Sequence, residues 1–368
     1  MRMPFRVVSA IAVCASLLPL ISQVNGAAAT KIVEIPSVLE PTKVVTIKPP
    51  YGFSNSKITV RLSKSEVDIV RRLQKLSVNQ IYPPNITPIP IVWKLEPGTE
   101  KSQTFQLARQ GLFATEELLG RPGDVDPYPI VVIVGRTQDF FRKEVSALGC
   151  TPDLRSTGGQ YLMGSTLCNR RVVVVNLTGY HFLRYYGQRI TTAMELKPEP
   201  TISAVSYLLV LRNIGSLAHE WTHVVRALPS GGRVSSTEPA WLNEGMAEVM
   251  SGMSRVRASA GKMNYLQFHI IRLRKFSNWP NSCRLSLTAY RKVSASLGGC
   301  EYLRGAAAVE LLIANYGGVR KLMALYDDAT DTDDFFSSFQ RIYGMSLRTF
   351  ELRADKYARY ITLASNYR

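Results

Sequence analysis

Hydrophobic residues follow two rhythms along this chain, and the rhythm changes near residue 100. From 31 to about 99 they come as short β-branched runs broken by proline (KIVEIPSVLEPTKVVTIKPPYGF, IYPPNITPIPIVWKLEPG), which predicts short strands and extended connections. The strand-like KITVRL leads into Ser63-Lys64-Ser65-Glu66, a capping-box pattern opening the helical EVDIVRRLQKL. After 100 the elements lengthen. FQLARQGLFATEELLG predicts an amphipathic helix, PYPIVVIVG a buried strand, QDFFRKEV a helix and RRVVVVNL another strand. A long apolar helical pattern then runs through TISAVSYLLVLRNIGSLAHEWTHVVRAL to Pro229 and the loop SGGRVSS, and a second helix opens at Thr237-Glu238-Pro239-Ala240 with proline in its first turn. From about 302 the pattern is mainly helical. A mixed sheet followed by helices describes an α+β chain.

The first residues follow a different logic. Arg2 and Arg6 precede the apolar run VVSAIAVCASLLPLISQV and the small residues GAAA, so residues 1–29 predict a cleaved secretory signal peptide. The expected organisation is a leader (1–29), a β-rich segment (30–99) and a main domain (100–368). The middle segment reads as an accessory unit, a propeptide or a lobe packed on the main domain. No later stretch reaches the roughly 18 apolar residues of a membrane span. The expected location is therefore secreted or extracytoplasmic, extracellular or periplasmic.

Charge narrows the partners. The chain carries +17, and anionic wall polymers, acidic polysaccharide or lipid headgroups suit that surface outside a cell. Its basic residues are scattered without an aromatic–basic recognition motif, which argues against nucleic acid. Setting Cys14 aside within the leader leaves Cys150, Cys168, Cys283 and Cys300, an even number that suggests two disulfides in an exported chain. The local pairs Cys150–Cys168 and Cys283–Cys300 are favoured, since each closes a short glycine-containing stretch.

Two of the four histidines stand four residues apart in His219-Glu220-Trp221-Thr222-His223. On a helix that spacing puts both imidazoles on one face, where they reach one ion. Glu220 projects about 100° round the helix, close to the ion's open side, in the His-Glu-x-x-His arrangement with the glutamate as general base. Chance would give this pattern on the order of 0.002 times in such a chain. A hydrolytic zinc usually has three protein ligands. His181, His269 and several acids are candidates for the third, and Glu244 is the strongest, because the loop SGGRVSS lets a second helix lie back on the first. Glu248, four residues on, is placed to accept a hydrogen bond from a ligating imidazole.

HEWTH followed by Trp241-Leu242-Asn243-Glu244-Gly245 resembles the gluzincins, the thermolysin-like zinc metallopeptidases, and is most similar to the aminopeptidase N family within the peptidase MA-like group. The resemblance implies a thermolysin-like zincin fold and one Zn2+ per chain on His219, His223 and Glu244, with Glu220 as catalytic base. Downstream, Tyr302-Leu303-Arg304-Gly305 is similar to the Tyr-x-Lys-Gly block of the same family, with Arg304 in place of lysine. This implies that Tyr302 donates a hydrogen bond to the developing oxyanion, with His269 as the competing donor. The Gly-x-Met-Glu-Asn block that holds a substrate's free amino end in those aminopeptidases is absent, so the resemblance implies an endopeptidase or unassigned peptidase acting on peptides or proteins. Two other readings use the same residues differently. One is a non-catalytic zincin module binding anionic wall or matrix polymers, and the other is a zinc amidase acting on wall peptides.

Overall fold

The computed structural model describes residues 32–36, 40–47, 58–79, 91–98, 103–120, 130–135, 137–150, 163–168, 171–177, 215, 217–226, 237–259, 263–277, 283, 285–292 and 300–365. Residues 1–29, His181 and the loop after Pro229 lie outside them. Helices dominate, with two small sheets beside them.

Strands β1 (Thr42–Ile47) and β2 (Ile58–Ser63) pair antiparallel, Thr42 opposite Ser63 and Ile47 opposite Ile58. Helix α1 (Lys64–Asn79) follows β2 without a loop. Its start is the capping box read from the sequence: the Ser63 amide donates to Glu66 Oε2 at 3.3 Å and the Glu66 amide to Ser63 Oγ at 3.1 Å.

The second sheet has the order β3-β4-β6-β5, built from β3 (Ile91–Leu95), β4 (Ile130–Gly135), β5 (Met163–Cys168) and β6 (Arg171–Leu177). β3, β4 and β6 run parallel, and β5 returns antiparallel at one edge. The two β-branched runs, IVVIVG and RVVVVNL, take the inner positions, as continuous apolar strands do. Helix α2 (Gln103–Leu119) connects β3 to β4, and α3 (Gln138–Ala147) follows β4 from its Thr137 cap.

The remaining helices are α4 (217–226), α5 (Ala240–Ala258), α6 (Tyr265–Ser277), α7 (Cys300–Asn315), α8 (Gly318–Thr332), α9 (Phe335–Tyr343) and α10 (Leu347–Ser365), with a 3-10 turn at Leu287–Tyr290. α5 begins at Ala240, so Pro239 stands before the first turn rather than within it. Pro239 is its cap, and the Pro239 carbonyl accepts from the amides of Leu242 and Asn243.

One hydrophobic core unites residues on both sides of position 100. Leu62, Ile69, Val70 and Leu73 are buried in it with Trp221, Trp241, Met246, Leu311 and Phe350. A buried polar knot reinforces that junction. His269 Nε2 meets Glu66 Oε1 at 2.9 Å, its Nδ1 lies 3.3 Å from Glu310 Oε2, Arg272 pairs with the same carboxylate, and the Tyr265 hydroxyl donates to Glu310 Oε1 at 2.9 Å. The Glu310 and Glu66 carboxylates outweigh burial and push His269 up to about 9. This histidine is a core residue, fully enclosed.

Candidate metal centre

The sequence of α4 leaves one side open. Leu217, Ala218, Trp221, Thr222, Val224 and Val225 are buried in the core. His219 and His223 alone keep partial exposure, with side chains 13% and 14% accessible. Four-residue spacing sets the two imidazoles one above the other, their Nε2 atoms 3.2 Å apart. Glu244 enters from α5, its Oε2 lying 3.4 Å from His219 Nε2 and 3.5 Å from His223 Nε2.

These three separations carry chemical information. Ligands about 2.0–2.2 Å from a tetrahedral zinc lie about 3.3–3.6 Å from one another. The observed triangle of 3.2, 3.4 and 3.5 Å has nearly those edges. Glu244 Oε2 is also buried and makes no hydrogen bond of acceptable geometry. A buried orphan oxygen is costly, and a cation shared with the two imidazoles would satisfy it. Two nitrogens and one carboxylate oxygen form a borderline donor set suited to zinc. The residues therefore fit the ion.

The electrostatics agree. Burial opposes the charge on Glu244, yet the two imidazoles overcome it and hold the carboxyl well below its usual range. Burial would lower His219, but the Glu244, Glu248 and Glu220 carboxylates raise it. The centre concentrates negative potential on its histidines, the environment a divalent cation requires.

Around the triad, Glu220 is buried on α4 and lies within electrostatic reach of His219 and of Tyr302. Glu248 Oε1 stands 3.8 Å from His219 Nδ1, within ion-pair range and beyond a hydrogen bond. Tyr302, from the first turn of α7, stacks on His219 with ring centroids 5.8 Å apart and planes 16° from parallel. Burial and the adjacent Glu244 and Glu220 carboxylates push its phenol far up, so it remains a neutral donor.

Searches of protein-family models, curated proteins and solved structures find no match to this chain. The reading of the centre therefore rests on its own residues.

The first turn of α7 is tied down from below. Cys300 forms a disulfide with Cys283, Arg304 pairs with Asp355 of α10, and Asp355 Oδ1 accepts from the Leu287 amide at 2.9 Å. Cys150 is also disulfide-bonded, while the side chain of Cys168 is outside the described ones.

Sequence reasoning missed a second set. Arg226, one turn past His223, pairs with Glu238, six residues before Glu244, and the Tyr326 hydroxyl of α8 donates to Glu238 Oε1 at 2.9 Å. This buried clamp joins the ends of the two ligand-bearing segments across the intervening loop. Its one sequence signal is a pair of opposite charges flanking that loop. Gly245 and Gly305, each part of a recognised block, also turn out to be points of contact between α5 and α7.

Proposed function

We propose that this protein is an exported, zinc-dependent metallopeptidase of gluzincin type, with a thermolysin-like arrangement of mixed sheet and active-site helices. The observation that carries the reading is the convergence of His219 Nε2, His223 Nε2 and the orphaned Glu244 Oε2 at tetrahedral-edge spacing. Export is supported by the basic and apolar leader pattern and the Cys283–Cys300 disulfide. Among the described residues no helix is long and apolar enough to cross a membrane.

Zinc held by these three residues would supply an acidified water and a Lewis acid for the scissile carbonyl. Glu220 accepts one proton from the attacking water and delivers it to the departing amine, so the carboxylate is regenerated in each turnover. Tyr302 donates its hydroxyl proton in a hydrogen bond to the oxyanion as the carbonyl carbon becomes tetrahedral. Glu248 contributes negative potential behind His219. The C–N bond breaks without a covalent enzyme intermediate. Peptides or proteins are the substrates. The basic surface supports contact with anionic wall polymers near them, and also allows a wall-peptide amidase.

Replacing Glu220 by Gln tests the assignment. The expected result is loss of hydrolysis of a peptide library with zinc retained at one per chain. Hydrolysis at the wild-type rate in that variant would refute the mechanism.

A further inference from the structure

The two blocks that flank the metal centre meet at their glycines. A Cβ on Gly245 would stand 2.2 Å from the carbonyl carbon of Gly305, and a Cβ on Gly305 would stand 2.0 Å from the carbonyl oxygen of Trp241. Both obstacles are backbone, so no rotamer change relieves them. Neither glycine adopts a positive φ. Their backbone conformation does not require glycine, and a mid-helix glycine is less stable than alanine. What glycine supplies here is closeness between α5 and α7. Glu244 is the immediate neighbour of Gly245. Tyr302 lies three residues before Gly305, just under one turn. The crossing is therefore the point from which both side chains reach the centre.

We propose that the Gly245–Gly305 backbone contact is the positioning element of this centre, holding Tyr302 against His219 and Glu244. The role of Tyr302 as donor rests on the metallopeptidase reading, whereas the positioning itself does not. A methyl group at either glycine forces the helices apart by about 1 Å or more, a displacement large enough to cost a reaction about a hundredfold. Gly252 provides the matched control. It lies seven residues after Gly245 on α5, and the atoms nearest a Cβ there are side-chain atoms of the Phe268 ring, at 2.4 Å, rather than backbone.

The test uses the full mature chain labelled with 13C-histidine. With four histidines in the sequence, each ring signal is assignable by single replacement. The stacked Tyr302 ring shifts the His219 signal through its ring current. Gly305→Ala and Gly245→Ala are expected to move that signal, and Gly252→Ala to leave it in place. In peptide hydrolysis, Gly305→Ala is expected to lower kcat about a hundredfold with KM nearly constant. Adding Tyr302→Phe should then cause no further loss, because both changes remove one interaction. A folded Gly305→Ala protein with an unmoved His219 signal would overturn the proposal, as would losses that multiply with Tyr302→Phe. So would failure of both alanine variants to fold while Gly252→Ala folds, since the contact would then serve the core rather than the site. If the wild-type protein cleaves no peptide, the His219 signal alone decides the proposal and the peptidase reading fails separately.

Discussion

Tyr302 keeps its proton because burial and the Glu244 and Glu220 carboxylates all oppose its ionisation. A neutral phenol beside the centre can only help the reaction by donating a hydrogen bond. Tyr302→Phe keeps the ring that stacks on His219 and removes that donor. The expected outcome in steady-state kinetics is a fall in kcat of about 10²–10³-fold, with zinc content and KM close to wild type. An unchanged kcat would remove Tyr302 from the mechanism. Other residues differ in how far the sequence exposed them. His219 and His223 were legible because helical spacing puts two imidazoles onto one face, with Glu220 beside them, whereas Glu244 was reached only through the turn-back loop SGGRVSS and the gluzincin resemblance. Glu66 was half legible. Its capping-box oxygen follows from a local pattern, while its other oxygen bonds His269, 203 positions away, and no local signal marks that contact.

The elements show the same division. Strands β2, β4 and β6 and helices α1, α2 and α3 follow from β-branched runs, capping residues and apolar periodicity. How the segment before residue 80 packs does not, because burial of Leu62, Ile69, Val70 and Leu73 depends on helices more than a hundred residues away. Each such side chain contributes about 1.5–3 kcal/mol by leaving water. About one or two kcal/mol is already a large fraction of the net stability of a domain. Truncation would also leave His269, Arg272 and Glu310 buried without Glu66. A chain beginning after Asn79 is therefore expected to lack a cooperative thermal transition in circular dichroism. A truncated chain that melts cooperatively near the wild-type temperature would show the segment to be dispensable.

At the scale of the whole molecule, the knot joining α1, α6 and α7 gives stability a pH dependence. His269 ionises near 6.5 when unconstrained and at about 9 in the folded protein, so its contribution is complete below 6.5 and disappears as pH rises through 9. Glu310 runs the other way, lowered from 4.5 to about 2, so its contribution is present above 4.5 and lost on acidification towards 2. The melting-temperature advantage of wild type over His269→Gln is expected to shrink between pH 6.5 and 9, and a constant advantage would contradict the charged knot. The central claim concerns the metal, and elemental analysis of the purified mature protein beside His223→Ala tests it most directly. The account requires one zinc per wild-type chain, lost in the variant. A wild-type protein that holds no zinc and takes none up on reconstitution would contradict it.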